Sequence, residues 1–162
     1  MDENQREEIL IAVATHKPYR MPKDSCYIPL HVGAAMHPGV CSDMQQDDNG
    51  ENISAMNASY SELTGLFWVW KNCSSKYKGL VHYRRHFRTL KFPEKWSEDR
   101  FERIACSDDF RSRLVRTGAQ VIVPRARNYV IESIESHYRH TLPGEQLDAV
   151  RESIASLCPD YL

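Results

Sequence analysis

The residues best suited to chemistry form one basic segment, His82-Tyr83-Arg84-Arg85-His86-Phe87-Arg88. Its first two residues end a strand that the apolar composition predicts for Gly79–Tyr83. In open α/β sheets, ligands bind beyond the carboxyl ends of the strands, so the segment lies where a ligand site is expected. Arginine forks contact phosphate oxygens through paired hydrogen bonds, and Arg84 and Arg85 together could neutralise a pyrophosphate. Because strand side chains alternate between faces, both arginines reach one ligand only if the chain leaves regular β geometry there.

This segment has a second interpretation, a solvated basic strand end paired with nearby Asp or Glu, and the sequence does not decide between the two.

Thr15-His16-Lys17 follows the first predicted strand, the usual place for a nucleotide contact, although an ordinary polar turn is favoured for these residues alone. Asp47-Asp48-Asn49-Gly50-Glu51-Asn52 is rich in oxygen atoms that could hold a divalent cation or a ribose hydroxyl. It lacks the spacing of an EF-hand loop, so a solvated loop is favoured there.

Glu62 and two histidines are weaker candidates. Glu62 could be a catalytic carboxylate, but Ser59 and Glu62 have the spacing of a capping box, which explains the residue without catalysis. His137 and His140 are three apart on a predicted helix and could share a metal ion. No carboxylate or cysteine obviously converges on them, so a surface role is favoured and no metal ligand is assigned. The sequence contains no Walker loop, Gly-x-Gly-x-x-Gly, Gly-x-Ser-x-Gly or Asp-x-Asp motif.

The elements that must position these residues alternate between strands and helices. Apolar runs predict strands at Ile9–Val13, Gly79–Tyr83 and Ala119–Val123. Helical periodicity is present in Leu63–Trp70, Trp96–Ala105, Asp108–Arg116 before Gly118, Val130–Tyr138 and Pro143–Leu157. This order predicts an α/β fold, a mostly parallel sheet flanked by helices. Three strands make a thin sheet, so either strands within 21–42 escape this pattern or the chain stops before the fold is complete.

Composition limits the classes of function. The chain has 162 residues and a net charge of −1, from 21 Lys plus Arg and 22 Asp plus Glu. This length predicts one domain over residues 9–162 after a charged tail, residues 1–8. The balance excludes an overall basic coat, so we expect no nucleic-acid partner. The longest early apolar run, Ile9–Ala14, is far shorter than the roughly 20 residues of a membrane-spanning helix. Five scattered cysteines are typical of reduced thiols in a cytoplasm; peripheral membrane association stays open.

Short blocks occur in the order typical of one protein family, and they extend along nearly the whole chain from Ile9. They are Val13–Lys17, Met21–Asp24, Tyr27–Pro29, Val32–Ala34, Asp47–Ser54, Glu62–Thr64, Trp68–Asn72, Gly79–Arg85, Val123–Pro124, Arg127–Tyr129 and His137–Tyr138. With these blocks the chain resembles a bacterial domain-of-unknown-function family found in capsular and exopolysaccharide gene products and regarded as glycosyltransferases of the GT-A type. Family members are longer, so the resemblance implies a truncated version that lacks the acceptor-side part.

The resemblance implies a GT-A-like, Rossmann-related domain that transfers a sugar from a nucleotide-sugar donor to a growing glycan acceptor. It places Thr15 and His16 near the base or ribose, and Asp48 and Asn52 near the ribose or a cation. It also gives the segment His82–Arg85 the position at which many relatives carry Asp-x-Asp. The implied catalytic residues are His82, Arg84 and Arg85, and the implied substrate-binding residues are Thr15, His16, Lys17, Asp48, Asn52 and Tyr83.

The charge at the Asp-x-Asp position is inverted in this chain. Aspartates need a bridging metal to hold a diphosphate, whereas arginines can stabilise the departing diphosphate directly. We therefore expect transfer that is independent of metal or depends on it weakly; no cofactor is required by this hypothesis, and a divalent cation (Mn²⁺ or Mg²⁺) stays open. The alternative to an enzyme is a non-catalytic fragment that binds nucleotide or glycan without turnover.

Overall fold

The computed structural model describes residues 8–125 and 130–161. The chain divides into two compact units, residues 1–122 and 123–162. The predicted single domain over residues 9–162 stays a prediction. Most of the predicted tail, residues 1–7, and the block Arg127–Tyr129 lie outside the described residues.

The first unit is built on a parallel sheet of four strands. They are β1 (Ile9–Thr15), β2 (Tyr27–His31), β3 (Gln45–Gln46) and β4 (Tyr77–His82). Their order is β3-β2-β1-β4, and every pair is parallel. In this register Ala14 of β1 lies beside His82 of β4, and Thr15 lies beside His31 of β2. The carboxyl ends of all four strands therefore meet at one edge of the sheet.

Helices cover both faces of this sheet. The first unit contains α1 (Asn57–Tyr60), α2 (Leu63–Asn72) and α3 (Ser107–Thr117). Trp68 and Val69 of α2 pack against Ala12 and Ala14 of β1, and Phe110 of α3 belongs to the cluster on the opposite face. Alternation along β1 produces this division, because successive side chains of a strand point to opposite faces. The predicted α/β fold with a parallel sheet is confirmed.

One glycine brings α2 close to the sheet. A Cβ atom added to Gly65 would stand 2.7 Å from Val32 Cγ1 and 3.1 Å from Leu30 Cδ2. Those distances are shorter than ordinary van der Waals contact, so a larger residue would force the helix away from the sheet. Gly65 therefore sets the separation between α2 and the carboxyl end of β2.

The second unit is helical where it is described. It contains α4 (Ile134–Thr141) and α5 (Glu145–Leu157). Ser133 begins α4 as its N-cap and accepts a hydrogen bond from the Ser136 amide, so this helix starts later than the predicted Val130. Over residues 8–125 and 130–161, none of the helices has the length and apolar character needed to cross a bilayer.

Two predicted elements are wrong. The segment Ala119–Val123 is not a strand: it pairs with none of the described strands, and Val121 and Val123 are largely exposed. The segment Trp96–Ala105 is not a helix but a series of turns after a short 3-10 helix, Glu94–Trp96.

Ion pairs hold the turns that replace the predicted helix, and the sheet contains one strand that the sequence pattern did not predict. Arg20–Asp99 and Lys23–Glu102 ion pairs, at 2.6 and 2.7 Å, tie those turns to the loop that precedes β2. β2 is the strand that the sequence pattern missed within 21–42.

Candidate functional site

Two loops meet at the carboxyl edge of the sheet, one after β1 and one after β4. Tyr83, which is almost fully buried, lies between them. Its ring contacts the His16 ring edge-on with 5.4 Å between centroids, and Lys17 Nζ lies 5.7 Å above it. The Arg84 guanidinium also lies over this ring, at 5.2 Å. Tyr83 thereby holds the exposed cations of both loops on one side of the molecule.

The chain leaves β geometry directly after β4. The Arg85 amide donates a 2.8 Å hydrogen bond to the His82 carbonyl, which closes a tight turn over residues 82–85. Regular β geometry would direct Arg84 and Arg85 to opposite faces of the sheet. Because the chain turns here instead, both residues line the same pocket. The pocket is open, has a volume of about 410 Å³, and is lined by Glu62, Leu80, Val81, His82, Arg84 and Arg85. We call it the β4 pocket.

The arginines of the β4 pocket carry uncompensated charge. Arg84 and Arg85 are both exposed, and neither takes part in an ion pair with any residue in the described ranges 8–125 and 130–161. Among the described residues, the acidic partners that the alternative expects are thus absent at Arg84 and Arg85, whereas His82 of the same segment faces Glu62. Two unpaired guanidinium groups on one pocket make a site that favours an anion.

His82 connects the turn to helix α2. Its Nδ1 accepts a 3.1 Å hydrogen bond from the Arg84 amide, so a neutral ring carries its proton on Nε2. That Nε2 lies 3.7 Å from Oε1 of Glu62. Burial lowers the pKa of His82, Glu62 opposes the shift, and the nearby Arg84 and Arg85 add to it. His82 therefore stays neutral and holds the turn in place near pH 7.

Glu62 is the pocket residue that the sequence pattern explained wrongly. Its side chain makes no capping hydrogen bond, and Ser59 belongs to the separate one-turn helix α1. The predicted capping box is therefore wrong. The Glu62 carboxylate instead faces His82 and lines the β4 pocket. Glu62 immediately precedes α2, the helix that packs over β4, and this position is the signal that could have placed it in the pocket.

Thr15 is buried and shapes the loop after β1. Its hydroxyl donates to the Lys17 carbonyl at 2.6 Å and accepts from the Lys17 amide at 3.2 Å. These bonds form a local turn of the kind that serine and threonine stabilise. His16 and Lys17 are exposed on that turn. The structure thus brings His16, Lys17 and Tyr83 together with the β4 pocket and leaves Thr15 as their support.

The acidic loop is organised around Asp47, which is fully buried. Its carboxylate accepts the amides of Gly33 and Ala34, each at 3.0 Å, and the hydroxyls of Ser54 and Thr64. Asn52 is also occupied, because its amide nitrogen donates to the carbonyls of Asp48 and Gly50, both at 3.0 Å. Within the loop 47–52, all of which the structure describes, Asp48 alone has an exposed side chain without a hydrogen-bond or ion-pair partner.

This arrangement does not fit a cation site. A divalent cation needs several oxygen ligands, and those of Asp47 already accept four hydrogen bonds. No group of three or more His, Cys, Asp or Glu able to hold a metal ion occurs within the described part of the chain. Asp48 follows β3, at the sheet edge opposite β4. Three strand spacings of about 4.8 Å put roughly 14 Å between these positions, so only an extended ligand reaches both.

The two histidines of α4 share a carboxylate that the sequence did not reveal. Glu132 Oε1 lies 2.7 Å from His137 Nδ1, and Glu132 Oε2 lies 3.1 Å from His140 Nδ1. These contacts pair both rings with one carboxylate at the start of the helix. The hydrogen bond from His137 lowers the pKa of Glu132. The geometry is that of a surface ion-pair network rather than a ligand site.

Comparison with known proteins places the chain among glycosyltransferase-like domains. It is similar to a solved structure of WbbM, a bifunctional glycosyltransferase in its apo form, with 27% sequence identity and a TM-score of 0.73. The match covers 95% of this chain but 30% of that protein, so this chain spans less than a third of its length. No curated protein matches the chain. The family model described as a domain of unknown function, DUF4422, matches residues 10–162. The chain therefore belongs to the DUF4422 family.

Proposed function

We propose that this protein binds a nucleotide-sugar donor and transfers its sugar to a growing capsular or exopolysaccharide glycan. The observation that carries the proposal is the β4 pocket, where Arg84 and Arg85 face solvent without a carboxylate partner among the described residues. The similarity to a glycosyltransferase supports a transferase-type reaction at a coarse level. The donor, the acceptor and the pathway belong to the proposal.

The chemistry of the reaction explains why two arginines are useful. A bond forms between an acceptor oxygen and the anomeric carbon of the sugar, the bond from that carbon to the diphosphate oxygen breaks, and the acceptor hydroxyl loses its proton. The diphosphate leaves with additional negative charge. Positioned cationic donors stabilise such charge most strongly in the transition state, and removal of one donor typically lowers kcat by about 10²–10³. In the proposal Arg84 and Arg85 supply this stabilisation.

The neighbouring residues take supporting roles in the proposal. His82 and Glu62 act as positioning residues, since the His82 Nδ1 fixes the Arg84 amide and Glu62 faces the opposite ring nitrogen. His16 and Lys17, exposed beside Tyr83, bind the donor on the β1 side of the pocket. Asp48, across the sheet, meets the ribose end of an extended donor. No step is assigned to a metal ion, because the acidic loop does not fit one.

The second candidate is binding without turnover, and one observation favours it: the carboxylate that lines the β4 pocket, that of Glu62, faces His82. Calorimetric titration with UDP, GDP and their sugars, with and without Mn²⁺, tests the binding that both candidates share. A parallel assay of donor hydrolysis and sugar transfer separates them. Binding with turnover supports the transferase, and binding without turnover supports the second candidate. Absence of nucleotide binding contradicts the transferase and leaves the second candidate only as a glycan-binding protein.

A further inference from the structure

A second cationic pocket adjoins the β4 pocket. It has a volume of about 310 Å³ and is lined by Arg84, His86, Phe87, Arg88, Arg100, Arg103 and Ile104. We call it the arginine pocket. Arg84 lines both pockets, so they share one wall. Apart from His86, the polar lining of the arginine pocket consists of four guanidinium groups and contains no carboxylate.

The charge of this pocket is not neutralised by its surroundings. In the described ranges, none of the ion pairs includes Arg88, Arg100 or Arg103. Arg88 donates to the carbonyl of Lys95, and Arg100 donates to the Tyr19 hydroxyl, so both are held by neutral acceptors. Neutral partners fix a guanidinium in place without removing its charge. Arg88 and Arg100 are therefore preorganised for a negatively charged ligand.

The other arginines nearby show that this pattern is specific. Arg20, on the loop before β2, pairs with Asp99, and Arg111, on α3, pairs with both Glu8 and Asp108. Carboxylates are thus available on the same unit and pair with arginines outside the pocket.

His86 contributes shape rather than charge. Burial lowers its pKa to about 4, and the nearby Arg100 adds to the shift. Its Nε2 is buried and has no hydrogen-bond partner among the described residues, which also favours the neutral ring. A phosphate group carries up to two charges and several acceptor oxygens, which match paired arginine forks. A carboxylate, with one charge, would leave most of these guanidinium groups unpaired.

We propose that the arginine pocket binds a second phosphate-bearing group, that of the acceptor, beside the donor diphosphate held in the β4 pocket. This inference rests on the proposed function, because it takes the first diphosphate as the donor's. Transfer requires both reactants to be held next to one another, and two pockets that share Arg84 meet that requirement. Two polyanions in adjoining pockets repel each other, so separate sets of cations are needed to hold both.

The test is calorimetric titration of inorganic pyrophosphate into protein already saturated with UDP or GDP. We expect pyrophosphate still to bind, and the variant Arg103→Gln to weaken that binding about tenfold or more. Arg103 lines only the arginine pocket, so the affinity for the nucleotide should not change. Arg116→Gln is the matched control, because this exposed arginine of α3 lines neither pocket and should leave both affinities unchanged. A thermal unfolding midpoint equal to that of the wild type shows that Arg103→Gln is folded, and Arg103→Lys, which keeps the charge, should retain part of the binding.

Two results would overturn the second site: loss of all pyrophosphate binding once nucleotide saturates the protein, or unchanged binding in folded Arg103→Gln. If the protein bound no nucleotide but its pyrophosphate affinity still fell in Arg103→Gln, the proposed function would fail and the anion site would stand. Vesicles of phosphatidylcholine with phosphatidic acid distinguish the source of the phosphate. Co-sedimentation that Arg103→Gln abolishes assigns the site to a lipid headgroup, and pyrophosphate binding without co-sedimentation assigns it to a soluble phosphate.

Discussion

Replacement of Arg85 by glutamine isolates the contribution of one guanidinium group to donor binding. Arg85 lines the β4 pocket and not the arginine pocket, and its side chain makes no ion pair with a described residue. Removal of its charge should therefore cost the fold little. Arg84 is less suitable for this purpose, because it lines both pockets and lies over the Tyr83 ring.

The magnitude follows from charge and exposure. Two unit charges 4 Å apart near a protein surface interact by about 4 kcal/mol, and a hydrogen bond to a charged group contributes about 1.5–3 kcal/mol net. Arg85 is exposed, so solvent screening places its contribution toward the lower values. We expect the dissociation constant of a nucleoside diphosphate to rise about 10–100-fold in Arg85→Gln. The difference should shrink as salt rises, because the Debye length is about 10 Å at 0.1 M ionic strength.

Calorimetry at low and high salt, on wild type, Arg85→Gln and the control Arg116→Gln, measures this change. Arg116→Gln removes the same charge from a surface that lines neither pocket. An Arg85→Gln affinity within about twofold of the wild type would refute the role of this guanidinium. An equal loss in Arg116→Gln would show that overall charge, rather than the pocket, determines the affinity.

Three further predictions concern stability, measured by urea unfolding. Asp47→Ala should lower the free energy of unfolding by about 2–6 kcal/mol, because two buried backbone amides lose their acceptor; a loss under about 1 kcal/mol would contradict this role. Gly65→Ala should cost about 1 kcal/mol, since its Cβ meets Val32 Cγ1 at 2.7 Å and the gain in helix propensity offsets only part of the strain; a stabilised variant would contradict the close approach. Burial lowers the pKa of His86 from 6.5 to about 4, so the unfolded chain binds a proton in that window that the folded chain does not. The free energy of unfolding should therefore fall by roughly 2 kcal/mol between pH 7 and pH 5. The variant His86→Phe should remove this loss, and the control His37→Gln, at an exposed histidine, should retain it. Equal pH dependence in the wild type and both variants would contradict the lowered pKa of His86.

Strong apolar patterns in the sequence were sufficient to predict the main elements. The unbroken run Ile9–Val13 predicts a strand covered on both faces, and β1 lies between β2 and β4 with helices on both sides. The spacing of apolar residues also predicts α2 and α5, whose cores match Leu63–Trp70 and Pro143–Leu157. In each case one segment carries enough information by itself, because its apolar residues recur with the period of a strand or a helix.

Pairing between strands was not predictable from the same patterns. β2 contains Pro29, which lacks an N–H donor and is typical of turns and edges, yet here it lies beside Val13 inside the sheet. The opposite error occurred at Ala119–Val123, where an apolar run before Pro124 fits a strand. Only Ile122 of that segment packs against the core cluster, while Val121 and Val123 are exposed. A local pattern indicates which side chains can be buried, but not whether a neighbouring strand is present to bond with.

The candidate site was predicted as far as its residues are adjacent in sequence. Strand alternation separates Arg84 from Arg85 unless the chain turns after the strand, and a turn over residues 82–85 brings both to one pocket. Glu62 was discounted because its spacing from Ser59 coincides with a capping box that does not form. The burial of Asp47 could not be anticipated, because its hydrogen-bond donors come from three separate places in the chain: Gly33 with Ala34, Ser54 and Thr64.

The central claim is that two unpaired guanidinium groups bind the departing diphosphate. It is tested most directly by comparing the affinity for a nucleoside diphosphate with the affinity for the nucleoside alone. The measurement is the affinity of UDP and GDP against that of uridine and guanosine, in EDTA, for wild type and for the double variant Arg84→Gln with Arg85→Gln. We expect wild type to bind one of the diphosphates at least about tenfold more tightly than its nucleoside, and the double variant to lose that preference. A preference retained by the double variant, or one that arises only when Mn²⁺ is added, would contradict the account.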